Sequence, residues 1–214
     1  KASLQVYSPE LLEQLYTKQA SVIKPYCWAC HLPGAKFSGE KILLREKRFK
    51  VYFSDADLVQ NIYFFNAFTM MKGKEYPVKG DNRMWLRGIR FRRHLEIEDS
   101  EIIVKMQSTL LARRHDAGNN TDTYYTCEDP EFAEVVKENI GTMLQKQNLM
   151  YRLDDFQIIP IKAKKVVVKV FGRPTNASIG IFKLIGSVEL LNYLYSAGTG
   201  VRRSEGHGKL VIIG

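Results

Sequence analysis

Cysteine is scarce in this chain of 214 residues: there are three, Cys27, Cys30 and Cys127. That odd number argues against a disulfide framework and for reducing surroundings. Glycine and proline are sparse too, at 15 and 7, which excludes collagen-like and low-complexity chains. No run approaches the ~20 apolar residues of a bilayer span. No basic, apolar and small-residue leader opens the sequence either, so a soluble, cytoplasmic protein without a membrane partner is expected. Acidic residues fall short of basic ones, 23 Asp plus Glu against 32 Lys plus Arg, leaving a formal charge of +9. Such a balance favours a polyanion, because each neutralised phosphate releases condensed counterions. Nucleic acid is the leading partner class, and an anionic lipid surface trails it.

What is present is an ordinary globular composition: 45% apolar residues, with 11 Phe and 11 Tyr. The length suits one or two domains with a sizeable core. Leu4, Tyr7, Leu11, Leu12 and Leu15 recur at helical spacing over Ser3 to Lys18, with a restart at Pro9. Lys24–Leu32 and Lys41–Ser54 read as strands. Ser54-Asp55-Ala56-Asp57 caps a helix that Gly73 closes, and a basic strand, Met84–Ile97, follows. A second series repeats this order. Glu101–Met106 is a strand, and Asp129-Pro130-Glu131 opens a helix with Pro at its first position. Gln157–Phe171 and Ser178–Ile185 form a hairpin, Ser187 caps a helix over Val188–Ala197, and Lys209–Ile213 is the last strand.

Strand, helix, strand, strand, helix, strand is the ferredoxin-like βαββαβ order. The first half has the same order without its first strand, which fits a sequence that opens on Lys instead of Met. The expected fold is therefore α+β, with two tandem ferredoxin-like domains over 1–98 and 99–214.

The most pattern-like stretch is Gly198-Thr-Gly200-Val-Arg202-Arg203-Ser204-Glu-Gly206-His207-Gly208. A dinucleotide fingerprint needs a third glycine where Arg203 stands. A phosphate loop ending at Gly208-Lys209 needs its first glycine at that same place, so both fail. What remains is a loop whose glycines let backbone N–H groups approach phosphates while Arg202 and Arg203 supply charge, or else a flexible connection with incidental charge. Cys27-Trp28-Ala29-Cys30-His31 matches the c-type haem attachment pattern in letters, but it lies in an aromatic strand, and Cys127 is isolated. No metal and no cofactor is expected.

From Gly186 through Tyr195 to Gly208, a helix runs into Gly-x-Gly, a basic Ser-containing turn and Gly-His-Gly. This ending resembles that of the repeat-specific CRISPR endoribonucleases, the sixth numbered family of CRISPR-associated proteins, within the repeat-associated mysterious protein superfamily. His207 stands where that family commonly has an aromatic residue. Lys105-Met-Gln-Ser108, Asp129-Pro-Glu-Phe132 through Asn139, and Lys24-Pro25-Tyr26 with Lys36-Phe37 extend the resemblance over nearly the whole chain. It implies a protein that binds one CRISPR repeat and cuts it without metal in the groove between its halves. The 2′-hydroxyl attacks the adjacent phosphate, leaving a cyclic phosphate and a 5′-hydroxyl. The alternative is a protein of the same superfamily that holds guide RNA without cutting. Association with other CRISPR-associated proteins of a surveillance complex and homodimerisation stay open.

The residue set for that chemistry starts at His31, at the end of a strand beside Tyr26, Lys36 and Lys41, which together offer a proton-transfer group, a hydroxyl and cations. His115, after Arg113-Arg114 in a loop, is its rival. Besides the glycine-rich loop with Ser204 and His207, the expected RNA contacts are Arg113, Arg114, Arg90 and Arg92 on one strand face, and Lys165 and Lys169 on another.

Overall fold

The computed structural model describes residues 1–16, 23–39 and 41–214; Thr17 and Lys18, the end of the first expected helix, lie outside them. In chain order the elements are α1 (Ala2–Tyr7), α2 (Pro9–Tyr16), β1 (Tyr26–His31), a hairpin of β2 (Lys36–Ser38) and β3 (Lys41–Leu43), β4 (Lys50–Asp55), α3 (Leu58–Met70), and a hairpin of β5 (Glu75–Val78) and β6 (Asn82–Trp85). There follow β7 (Glu101–Met106), a hairpin of β8 (Ala112–Asp116) and β9 (Thr121–Tyr125), α4 (Phe132–Lys146), β10 (Gln157–Val170), β11 (Arg173–Ile185), α5 (Val188–Ala197) and β12 (Leu210–Ile212). The class is α+β. The chain forms two compact units: Lys1–Lys24 with Asp55–Glu96, and Pro25–Ser54 with Ile97–Gly214. The segment Pro25–Ser54, counted with the first half in sequence, thus packs with the second.

The second unit holds an antiparallel sheet in the order β10-β11-β7-β12. Strand, helix, hairpin, helix, strand with this order is the ferredoxin-like split βαβ arrangement. Two-residue alternation on β7 sends Ile102, Val104 and Met106 inward and leaves Lys105 exposed. Against the buried face lie Val135, Val136, Ile140 and Met143 of α4 and Leu190, Leu191 and Leu194 of α5, spaced at three and four residues. Phe132 and the fully buried Phe182 meet with ring centroids 6.0 Å apart. Ser187 Oγ accepts from Leu190 N, fixing the start of α5. At α4 the N-cap is Glu131 and the first helical residue is Phe132, so Pro130 lies before the cap, two positions earlier than expected. Asp129 accepts instead from the N–H and hydroxyl of Thr126, closing the preceding turn.

The first unit is built on α1 against α3. Leu4, Phe64 and Ala67 are buried, Tyr7 meets Tyr63 edge-on at 6.0 Å, and Asn66 Nδ2 donates to Tyr7 Oη at 2.8 Å. The expected strand over Met84–Ile97 is not formed: the short hairpin ends at Trp85, Leu86 makes a single bridge to Lys72, and residues 87–98 have no strand pairing. Alternation of Arg and Phe had no partner strand to satisfy it. Phe91 instead stacks on Phe65, centroids 4.0 Å apart.

The glycine-rich loop is a clasp folded against its own unit. Gly208 has φ +73°, and a Cβ there would lie 2.0 Å from the Thr199 carbonyl oxygen; Gly200, at φ +75°, would meet the Leu111 carbonyl at 2.4 Å. Those approaches make bonds: Thr199 N to Gly208 O, Gly208 N to Thr109 O, and Val201 N to Leu111 O. Trp28 of β1 rests its ring on Gly206 and donates from Nε1 to Ser204 O at 3.0 Å. Lys209 is 7% exposed, its Nζ donating to Ser54 Oγ at 2.8 Å, and Ser54 Oγ donates to Ser196 O at 2.6 Å. These bonds bring β1 and β4 into the second unit.

At the junction of β4 and α3, Asp57 caps the helix by accepting from Gln60 N. Asp55 Oδ1 accepts from Asp57 N at 2.9 Å, while its buried Oδ2 has no protein hydrogen-bond partner. Burial first, and the charge of Asp57 next, push its pKa from 3.8 to about 7, against the opposing backbone bond.

Two stability measurements follow. Gly208→Ala is expected to cost about 2–4 kcal/mol in denaturant unfolding, whereas Gly172→Ala, also at positive φ but with no atom within 4 Å of the added Cβ, should cost about 1 kcal/mol. Asp55→Asn keeps the turn and removes the ionisation. A raised folded pKa means that stability is fully present below pH 3.8 and is lost as pH rises through about 7. The variant should therefore match the wild type near pH 4 and exceed it by about 1 kcal/mol or more at pH 8, read from melting curves across that range.

Candidate functional site

Within the second unit, a groove of about 280 Å³ is lined by Ala29, Cys30 and His31 of β1, Tyr52 of β4, Lys105 and Met106 of β7 with Gln107, and Val211 of β12. Three strands deliver its polar groups. His31 ends β1 on the exposed side, Lys105 is the outward residue of the β7 alternation, and β12 is registered so that Val211 lies opposite Lys105. Burial raises the Cys30 thiol above its usual 9.0, which favours its protonated form at neutral pH. The working groups are an imidazole, a phenol, an ammonium and an amide: enough to move protons and to steady developing negative charge.

Of the expected catalytic set, His31 lies in this groove and the others do not. Tyr26 is corrected: it is 2% exposed, with its ring centroid 5.4 Å from that of Phe53, and core packing withdraws its hydroxyl from any substrate. Lys36 is exposed on β2 outside the groove lining. His115 stands on strand β8, not in a loop. Its Nδ1 is 2.9 Å from Asp122 Oδ1, and Arg113 donates to Asp122 Oδ2 at 2.8 Å. Partial burial pushes the Asp122 pKa up, but the His115 and Arg113 bonds outweigh it and hold the carboxyl below its usual 3.8. An imidazole–carboxylate pair therefore sits on the β8–β9 hairpin, apart from the groove.

The expected RNA contacts are redistributed. Arg203 is corrected: at 4% exposure its guanidinium lies inside the protein, and burial lowers its pKa despite Tyr193 and Cys27. The N–H groups of Gly198, Thr199, Val201, Glu205, Gly206 and Gly208 already donate to protein carbonyls. These six amides of the loop are thus engaged by the chain itself. The Ser204 carbonyl is taken by Trp28, and His207 Nδ1 is 2.8 Å from Thr109 Oγ1. Burial and Arg202 lower the His207 pKa below 6.5, outweighing Thr109, so its ring is neutral at pH 7. Arg202 is half-buried, with Nε donating to Tyr124 Oη at 3.1 Å and Nη1 to Glu205. Arg114 is paired with Glu138 and Glu134. Arg90 and Arg92 are exposed but share no strand face, since no strand forms there. Lys165 and Lys169 are exposed on the sheet's edge strand, at alternate positions of one face.

Sequence reading missed Tyr52 and Lys105, because only strand pairing brings them to His31. It also missed Arg45, Lys47, Arg48 and Lys50, which continue a basic strip from Lys41 and are exposed together with Phe37 and Phe49. Its signal was present, as basic and aromatic residues interleaved over 36–50. Among the described residues, no three His, Cys, Asp or Glu side chains come together to hold a metal ion, and no helix is long and apolar enough to cross a membrane.

No curated protein matches the chain by sequence. Its structure is similar to one described as the characterization of a Cas6-related gene from Pyrococcus furiosus, with a TM-score of 0.82 at 17% identity over 99% of this chain and 86% of that one. It is also similar to a RAMP protein binding different RNA substrates, with a TM-score of 0.73 at 15% identity over 100% and 88%. A third similar structure is a Cas6 product complex, with a TM-score of 0.67 at 15% identity over 99% and 90%. These likenesses give the fold across nearly the whole chain. The profile of the family described as CRISPR associated protein Cas6, C-terminal, matches residues 92–212, more than half of the sequence, and the chain therefore belongs to the Cas6 family.

Proposed function

We propose that the protein binds CRISPR repeat RNA and cuts it as a metal-independent endoribonuclease, with the reaction centred on the His31 groove. The observation that carries this reading is the gathering of His31, Tyr52 and Lys105 in one cavity, in the unit that also bears the basic strip over 36–50. In the reaction a ribose 2′-oxygen loses its proton and bonds to the neighbouring phosphorus. The bond to the 5′-oxygen breaks, and that oxygen takes up a proton. The products are a 2′,3′-cyclic phosphate and a 5′-hydroxyl. His31 moves one proton, Tyr52 serves the opposite end, and the Lys105 ammonium steadies the charge gathering on the phosphate oxygens. The basic strip, with Lys165 and Lys169, holds the backbone by charge. His115 with Asp122 is the second proton-transfer pair to be tested.

A second reading, a protein that holds guide RNA without cutting, is favoured by one observation. The groove lining has a single imidazole, where the reaction moves protons at two ends.

Labelled repeat RNA in excess chelator separates the two. Cleavage with a cyclic-phosphate end is expected, and tight binding with intact RNA supports the holding role. His31→Ala should slow single-turnover cleavage by about 10²–10⁴-fold and Lys105→Ala by about a hundredfold, each with affinity nearly unchanged. Undiminished rates in both would move the chemistry to His115. Binding isotherms over a salt series test the strip. Replacing Arg45, Lys47 and Arg48 with Ala should weaken binding and reduce the slope of log affinity against log salt by about 0.7 for each phosphate no longer neutralised.

A further inference from the structure

The β10–β11 hairpin turns through two residues, Phe171 and Gly172, between the paired Val170 and Arg173. Both have positive φ, +48° and +78°, the pattern of a type I′ turn. Asn-Gly forms this turn without strain, whereas a bulky aromatic at its first position is held in a sparsely populated region. Phe171 is nevertheless there, and 77% exposed. Packing does not account for it: the inner face of the hairpin is filled by Val166, Val168, Val170 and Ala177 against Leu111, Tyr124 and Val201, a cluster without Phe171.

What Phe171 does have is a cation on its ring. The Arg202 guanidinium carbon lies 4.7 Å from the ring centroid. Arg202 is fixed there by Tyr124 Oη and Glu205, on a backbone with φ +56°. The ring is thus covered from one direction by a planar cation that cannot swing freely, and most of its surface faces solvent. Lys169 and Arg173, both exposed, flank it along the chain.

An aromatic face with a guanidinium behind it and cations on each side matches a nucleotide: a flat base to stack and a phosphate next to it. We propose that Phe171, backed by Arg202, is a stacking platform for one unpaired base of the bound RNA. The inference rests on the RNA-binding reading above. It explains why a strained, exposed phenyl ring stands where Asn would fold better, and it gives Arg202 its role: a positioning residue for the ring, not a phosphate clamp in an open glycine loop. The base must be unpaired, since a base within a duplex has both faces covered. Any base can stack, so the platform adds affinity with little sequence preference.

The test is equilibrium binding of single-stranded repeat RNA, followed by anisotropy, with the full chain and three variants. Phe171→Ala should weaken binding about tenfold, and Phe171→Trp should keep it. Phe171→Asn, which suits the turn, should unfold no earlier than the wild type and yet bind as weakly as the Ala variant, an outcome that a purely structural role of the ring does not give. In a series of RNAs each lacking one base, one position should weaken the wild type and leave Phe171→Ala unchanged. If the wild type binds repeat RNA tightly and both Ala and Asn variants bind every RNA equally well, the platform is refuted while RNA binding stands. If the wild type binds no repeat RNA, the RNA-binding reading falls and the platform with it.

Discussion

The structure depends on one close approach, that of Gly208 to the Thr199 carbonyl. No side chain larger than hydrogen fits there. The bonds it permits tie the end of α5, the segment from Thr109 to Leu111 and the start of β12 into a single knot. Trp28 and Ser54 close onto that knot through Ser204, Ser196 and Lys209, which draws β1 and β4 beside the ferredoxin-like sheet. The groove exists because of this. Its His31 and Tyr52 come from the strands so drawn in, and its Lys105 and Val211 from the sheet.

Charge is divided along the same lines. Several cations are drawn inside or paired: Arg203 and Lys209 are buried, Arg113 holds Asp122, and Arg114 holds Glu138. Exposed cations collect elsewhere, over Lys36 to Lys50 and along the outer strand β10. Net charge read from composition does not say which cations stay exposed: of the two arginines nearest the glycines, Arg203 is buried, and Arg202 is half-buried against Tyr124 and Glu205.

Hydrophobic period made much of the second unit legible. β7 alternates cleanly, α4 and α5 bury residues at three- and four-residue spacing, and Ser187 caps where its side chain indicates. The β8–β9 hairpin was not legible because Ala112–Tyr125 is polar and largely exposed, with no apolar period to betray it. Arg87–Ile97 failed in the opposite way: an alternating pattern without a neighbouring strand stays irregular. In the site, His31 could be found by residue type. Tyr26 could not be told from Tyr52, because which phenol is buried depends on what packs over β1. The glycines signalled close backbone approach, but a glycine marks approach to a ligand and approach to another part of the chain identically. Trp28, the partner of Gly206, is remote in sequence, so only the fold decides between them.

The central claim is that the reacting phosphate lies in the His31 groove. A structure of the protein with a repeat RNA carrying a 2′-deoxy sugar at the cleavage position, which cannot react, tests it most directly. The account requires the uncut phosphate within hydrogen-bond reach of His31 and Lys105. A phosphate held instead beside His115, with the groove empty, would contradict it.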